Sequence, residues 1–410
     1  MRRLTVDVDD PVLQNLAPLQ FRAANNPLLP RLKSFDCHYP TDDALPLIPF
    51  LLSPQTTEIN ITFSGRSTVV NVASTIGMIP RHCPNIERIT INVQDGDIGM
   101  TKVAIDAVSE MSLGCDRNSL RVFEVNSPLT EEAREVVYRL PNLSGLRTVI
   151  KGRTLLPQVI LPNLKDLYVE YDDHLDWLQG FREATFGKLQ RASFHPRCPP
   201  ISDFLRVFAK VALTTSAPKT LSEFRFNAVF HWDPDNYWDP DYYSLLPFKQ
   251  LKILDMHSKC WGCCSSTVDD HVIKALAQAM PKLEILRLGG TPCKTPTGAT
   301  VHGLIVLASC CLNLSNLKIH FQAHTLAGAA IPFRPTDGPV IPQEDRALMD
   351  LDVGNTPIPV REAKKIAQVL LQIFPRVRVL YDNEEWKRVK EHMKDFRRAG
   401  ALVCRLVRPY

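Results

Sequence analysis

One motif recurs along the whole chain, and its spacing limits what the chain can fold into. The motif is Leu-x-x-Leu-x-Val, often led by Pro-Asn or Pro-Lys. Clear copies are Leu29–Cys37 (LPRLKSFDC), Cys83–Val93 (CPNIERITINV), Leu161–Val169 (LPNLKDLYV), Gln250–Met256 (QLKILDM) and Pro281–Leu288 (PKLEILRL). Taking the second apolar position as the register places it at Leu4, Phe35, Ile59, Ile89, Phe123, Leu146, Leu167, Ala192, Phe224, Leu254, Leu286, Leu317, Leu351 and Leu380. Successive positions are 21 to 34 residues apart, with a mean of about 29. The alternating half of the motif predicts a short strand, because successive side chains on a strand point to opposite faces. Helix-period segments lie between the strands. Thr130 stands where an N-cap belongs, Glu131 and Glu132 suit the positive end of the helix dipole, and Ala133, Val136, Val137 and Leu140 form one apolar face. Val360–Phe374 repeats that arrangement. Pro80, Pro84, Pro141, Pro281 and Pro375 are expected to end helices before the next strand.

This pattern and spacing belong to the long end of the leucine-rich repeats. One strand and one helix bury little alone, whereas stacked units share a continuous core. The expected fold is therefore α/β, a leucine-rich-repeat solenoid of the ribonuclease-inhibitor-like horseshoe kind with about 14 strand–helix units. Residues 1–383 are expected to form the solenoid and 384–410 a C-terminal capping helix and tail. Trp386, Val389, Met393 and Phe396 would supply the apolar face of the cap.

Composition removes several function classes. The longest apolar run, Leu304–Leu312 with Ser309 tolerated, is far short of the roughly 18 residues a membrane span needs. The start MRRLTVDVDD has no apolar core of a secretory signal. Eleven cysteines scattered over 410 residues make no disulfide framework, which points to a reducing cytoplasmic or nuclear setting. The net charge is +4, and residues 361–410 alone hold 13 basic against 6 acidic residues. With no aromatic-studded basic groove beside it, that bias reads as a solvated helix face, so neither nucleic acid nor membrane is expected as a partner. None of the sequence signatures of Ser hydrolases, zincins, P-loop NTPases or dinucleotide-binding folds is present, so no catalytic residue and no cofactor is expected.

The residues between the apolar strand positions carry the binding hypothesis. In such solenoids they face a concave sheet. Arg147, Tyr168, Arg225, Arg287 and Lys318 in one column, with His195, His257 and His320 two positions on, read as a basic and aromatic patch for a protein partner. The competing reading is a solvated sheet face. The largest insertion, His231–Tyr243, carries a tandem Trp-Asp-Pro-Asp in which Trp232, Asp235, Tyr237, Trp238 and Asp241 suit an Arg-bearing peptide. Alternatively its tryptophans pack back on the repeats. His257, Cys260, Cys263 and Cys264 are the one metal-like cluster; they lack the second pair of a closed zinc site, and reduced thiols are the expectation.

The Cys-Pro-Asn start of Cys83–Val93 and the similar Ser309–Ile319 resemble the cysteine-containing repeats of F-box proteins. The long irregular repeats, the Trp-rich insertion and the Glu384-Glu385-Trp386 cap are similar to the fungal F-box/leucine-rich-repeat family. That resemblance implies non-catalytic substrate recognition for an SCF-type cullin ubiquitin ligase, with a Skp-type adaptor and a cullin as further partners. No F-box is legible; the nearest candidate, Leu45–Pro54, lies between two strands and reads as a helix. The alternative is a stand-alone interaction protein, a monomer in either case.

Overall fold

A computed structural model describes residues 3–6, 27–63, 68–94, 119–150, 160–171, 185–196, 204–213, 217–229, 241–259, 268–290, 298–323, 349–354, 356–380 and 383–407. Its strands are β1 (Arg3–Val6), β2 (Ser34–His38), β3 (Glu58–Phe63), β4 (Arg88–Val93), β5 (Val122–Pro128), β6 (Gly145–Ile150), β7 (Ile160–Leu161), β8 (Asp166–Tyr171), β9 (Thr185–Phe186) and β10 (Arg191–Pro196). They continue with β11 (Glu223–Val229), β12 (Ile253–Lys259), β13 (Ile285–Gly290), β14 (Asn316–Lys318), β15 (Met349–Asp352) and β16 (Val377–Val379). Fourteen of them form one parallel sheet whose order follows the chain; β7 and β9 pair separately. The protein is thus mixed α/β.

The register follows the hydrophobic positions. Leu4, Phe35, Ile59, Ile89, Phe123, Leu146 and Leu167 stand opposite one another from β1 to β8. Phe224, Leu254, Leu286, Leu317 and Leu351 do the same from β11 to β15. A one-residue slip would turn every apolar side chain to the solvent face, so burial pins the pairing. The last unit departs from expectation. Leu351 pairs with Val379, and Leu380 is 45% exposed. Val377 and Val379 alternate with exposed Arg378, so the strand's own period, not its most hydrophobic residue, sets the pairing.

A second repeat lies in the backbone. Before nine of the described strands, one carbonyl accepts two successive N–H groups of the next unit. Lys33 accepts from Thr57 and Glu58, and Thr57 accepts from Glu87 and Arg88. Lys252 accepts from Glu284 and Ile285, and Glu284 accepts from Ser315 and Asn316. These bonds satisfy donors that would otherwise be buried at each bend.

The chain separates into two compact units. The first comprises Met1–Ala192 with Lys210–Ala217. Its strands bury mainly aliphatic residues such as Ile59, Ile61, Ile89 and Ile91. Its helices follow the strands: Leu45–Leu47 and Ile48–Leu51 after β2, Val69–His82 after β3, and Glu131–Tyr138 after β5. The Thr130 hydroxyl accepts the Ala133 N–H at 3.2 Å, and Ala133, Val137 and Leu140 are buried, as expected. Pro80 does not end its helix. It sits inside Val69–His82, in the last turn, where losing one internal bond is cheapest.

The second unit comprises Ser193–Ala209 and Pro218–Tyr410. Its core holds an aromatic cluster: Phe194 meets Phe204 at 5.0 Å and Phe208 at 5.4 Å between ring centroids, edge-on, and Phe208 lies 5.0 Å from Phe224. Two adjacent acids stitch consecutive helices together. Asp269 caps its own helix, Asp270–Ala279, through the Val272 N–H, while Asp270 accepts the N–H groups of Thr300 (2.8 Å) and Gly303 (3.0 Å) at the start of Val301–Cys310. A Cβ on Gly303 would stand 2.7 Å from that carboxylate, so only glycine permits the approach. Glu384–Val407 forms the C-terminal helix. Trp386 and Val389 are fully buried on it, and the Trp386 Nε1–H donates to the Thr356 carbonyl at 3.0 Å.

Candidate functional site

Each strand presents its residues before, one after and three after the register position to the face opposite the hydrophobic one. The predicted partner-binding residues belong to this face.

In the first unit, Arg147 on β6 and Tyr168 on β8 are partners in register. Arg147 is exposed, and its guanidinium carbon lies 4.3 Å from the Tyr168 ring centroid. Glu124 on β5 is Arg147's register neighbour on the other side, but it faces Arg88 at 3.7 Å and accepts the Thr90 hydroxyl at 3.1 Å. Further along, Arg3 donates to Asp36 at 2.8 Å, and the Asn126 amide brackets Val93, accepting its N–H at 2.8 Å and donating to its carbonyl at 3.1 Å. Arg191 pairs with Asp166 at the start of β8.

In the second unit, the predicted cations are compensated. Arg225 pairs with Glu223 on its own strand. Arg287 reaches Asp255 at 3.3 Å and donates to Asn316 Oδ1 at 3.1 Å. Lys318 meets Asp352 at 3.4 Å and is only 16% exposed at its side chain. Arg378 closes the row on Asp350 at 2.7 Å. The expected basic patch is therefore a ladder of alternating charge on this unit. On the described part of the face from β11 to β16, Glu223, Asp255, Asp352 and Asp350 pair with Arg225, Arg287, Lys318 and Arg378. Asp255 is buried, its side chain 6% exposed, and this is where a carboxylate is costliest to leave alone.

The predicted histidines divide. His195 is half-buried, with Nε2 2.9 Å from the Ser193 hydroxyl. His257 stands opposite Gly289 in register. His320 is buried at 7% exposure, and its ring lies against Gly354: a Cβ there would come within 2.5 Å of Cε1 and Nε2. Gly354 is in the left-handed region at φ 51°, so a side chain is disfavoured twice over. His320 is thus packed into the structure on this face.

Of the insertion, Trp232, Asp235, Tyr237 and Trp238 lie outside the described residues, as do Cys260, Cys263 and Cys264. Asp241 is described. Its carboxylate accepts the Ser244 hydroxyl at 2.7 Å at the start of a short helix, Tyr242–Leu245, in which Tyr242 is buried and Tyr243 exposed. Among the described residues no group of three or more His, Cys, Asp or Glu is arranged to hold a metal ion, and no helix is long and apolar enough to cross a membrane.

The strongly shifted acids are interior. Burial, helped by the adjacent Cys310, pushes the Cys311 thiol up to about 12, and burial pushes the Tyr138 hydroxyl up to about 12. A thiol held protonated is a poor nucleophile. Cys311 borders a small cavity of about 20 Å³ lined also by Leu312, Leu314, Met349 and Phe374. It has room for about one water.

The compensating acids Glu223, Asp255 and Asp352 are the functional partners that counting cations alone overlooks. Asp255 and Asp352 stand in the same column as Arg287 and Lys318, one strand away, so alternating sign down the column was the available signal.

Comparison with protein families finds no matching family model. Comparison with characterised proteins finds no match either.

Proposed function

We propose that this chain is a non-catalytic protein-binding scaffold, a leucine-rich-repeat solenoid of horseshoe form whose sheet face receives the partner. The observation that carries the reading is the parallel ladder in chain order, with equivalent apolar positions in register and polar columns on the other face. Such a face offers many side chains at fixed spacing without a cleft for chemistry.

The finer use, by resemblance to the fungal F-box/leucine-rich-repeat family, is substrate recognition for an SCF-type cullin ubiquitin ligase in cytoplasm or nucleus, the chain being a monomer. The rival is a stand-alone interaction protein; Leu45–Leu51, the stretch nearest to an F-box in sequence, folds as two short inter-strand helices with Leu45, Ile48 and Leu51 buried in the first unit, so this stretch serves the repeat. Affinity capture with the full chain from its own cell lysate, read by mass spectrometry, separates the two. A Skp-type adaptor and a cullin among the captured proteins support the ligase reading. Capture of other proteins without them leaves the scaffold and removes the ligase.

A further inference from the structure

Four cations occupy the central column of the sheet face. Arg225, Arg287 and Lys318 each face a carboxylate. Arg147 does not: among the described residues no carboxylate lies within ion-pair distance of it, and its guanidinium rests on the Tyr168 ring. Two features make this more than a stray surface charge. Its register neighbour Glu124, the acid best placed to neutralise it, is turned to Arg88 and Thr90. The Tyr168 ring takes the place of a carboxylate, holding the guanidinium through its carbon and leaving the edge N–H groups for an outside acceptor. A guanidinium presents those donors as a planar fork, which matches a carboxylate with two parallel bonds. Holding the fork in advance removes part of the ordering cost of binding.

We propose that Arg147, seated on Tyr168, is an anchor for one carboxylate of an acidic peptide segment on a protein partner. This rests on the reading of the face as a protein-binding surface and names the chemistry it selects. The surroundings choose the ligand. Glu124, Asp166 and Glu170 lie on β5 and β8, the strands flanking β6, on the same face as Arg147. A doubly charged phosphate calls for a second free cation beside the first, and the neighbouring Arg88 and Arg191 are already paired with Glu124 and Asp166. A nucleic-acid backbone needs a row of uncompensated cations, whereas among the described cations of this column only Arg147 faces no carboxylate.

The test uses the full chain and a displayed library of random peptides. Enriched peptides are resynthesised with each Asp or Glu changed to Asn or Gln, and with a phosphoserine in its place. Peptides bearing a required Asp or Glu are expected. Arg147→Ala should weaken them at least tenfold, equivalent to about 1.4 kcal/mol. Arg147→Lys, which keeps the charge and loses the fork, should fall between. Tyr168→Phe should keep binding within about twofold and Tyr168→Leu should lose several-fold, because the ring and not the hydroxyl holds the guanidinium. Unfolding temperatures of the two Arg147 variants should match the parent, since Arg147 is exposed and makes no ion pair among the described residues. Binding that ignores Arg147→Ala, or that improves with phosphoserine, overturns the anchor. If such peptides instead respond to Arg225→Ala, the anchor fails while protein binding by the face stands. If no peptide is enriched, the anchor also fails, and the lysate capture decides the scaffold reading separately.

Discussion

The two compact units use the same ladder for different ends. In the second, cations and acids alternate and close on one another, from Glu223 and Arg225 through Asp255 and Arg287 to Asp350 and Arg378. In the first, the pairs Arg3–Asp36 and Arg88–Glu124 close, and Arg147 is left on an aromatic ring. Their cores differ as well: interlocked phenylalanines in the second, mostly isoleucine and leucine in the first. A repeat therefore fixes position without fixing use. Equivalent places in the register are free to be structural where a neighbouring unit supplies the counter-charge, and available to a ligand where it does not.

The sharpest way to break the contrast in the cores is Phe208→Ala. That ring meets Phe194, Phe204, Phe224 and Phe248, and its loss should cost about 3–5 kcal/mol, read by denaturant unfolding. Ile91→Val in the first unit should cost only about 0.5–1.5 kcal/mol. Equal costs would dissolve the distinction.

Arg287→Glu tests the closed ladder. It removes the cation from a buried Asp255 and sets a second carboxylate beside it, an expected loss of about 3–5 kcal/mol by the same measurement. From the column alone, Arg225→Glu with Arg287→Glu would be a clean probe of binding; the Asp255 pairing makes it a stability variant instead. A second change, Asp255→Asn, should recover part of the loss. If Arg287→Glu leaves stability unchanged, the ladder is not structural.

The two units should also part company in alkali. Cys311 in the second and Tyr138 in the first are held protonated by burial, each up to about 12. A raised folded-state value means that stability is fully present below the unfolded value and falls as pH rises through the folded one. The second unit should begin to weaken above about pH 9, the ordinary thiol value, and the first above about pH 10, the ordinary phenol value. Each slope approaches 1.4 kcal/mol per pH unit until about pH 12. Cys311→Ala should remove the onset near pH 9 in pH-dependent unfolding.

The smallest effect sharpens the comparison most. Arg147→Ala should change stability by less than about 0.5 kcal/mol, the usual range for an exposed side chain away from a structural feature. A large loss would put Arg147 with Arg287, as part of the frame.

The strand positions were legible because alternation is local: Leu254, Leu286, Leu317 and Leu351 need only their own neighbours to be recognised, and the structure pairs them in that register. The cap on Thr130 and the buried face of Trp386, Val389 and Met393 were legible for the same reason. Val379 was missed for Leu380 because an exposed leucine looks the same as a buried one until its strand partner is present. His320 read as a surface histidine because nothing nearby in sequence reveals Gly354 beneath it.

The sequence by itself determined the spacing of the units and, for most strands, the register and the face each side chain takes, since these follow from periodicity within one unit. Only the tertiary structure decided which charges are spent. Asp255 comes to Arg287 across 32 residues of chain and Asp352 to Lys318 across 34, whereas Tyr168 comes to Arg147 across 21. Electrostatic compensation depends on distance in space, which is set when one strand is laid beside the next.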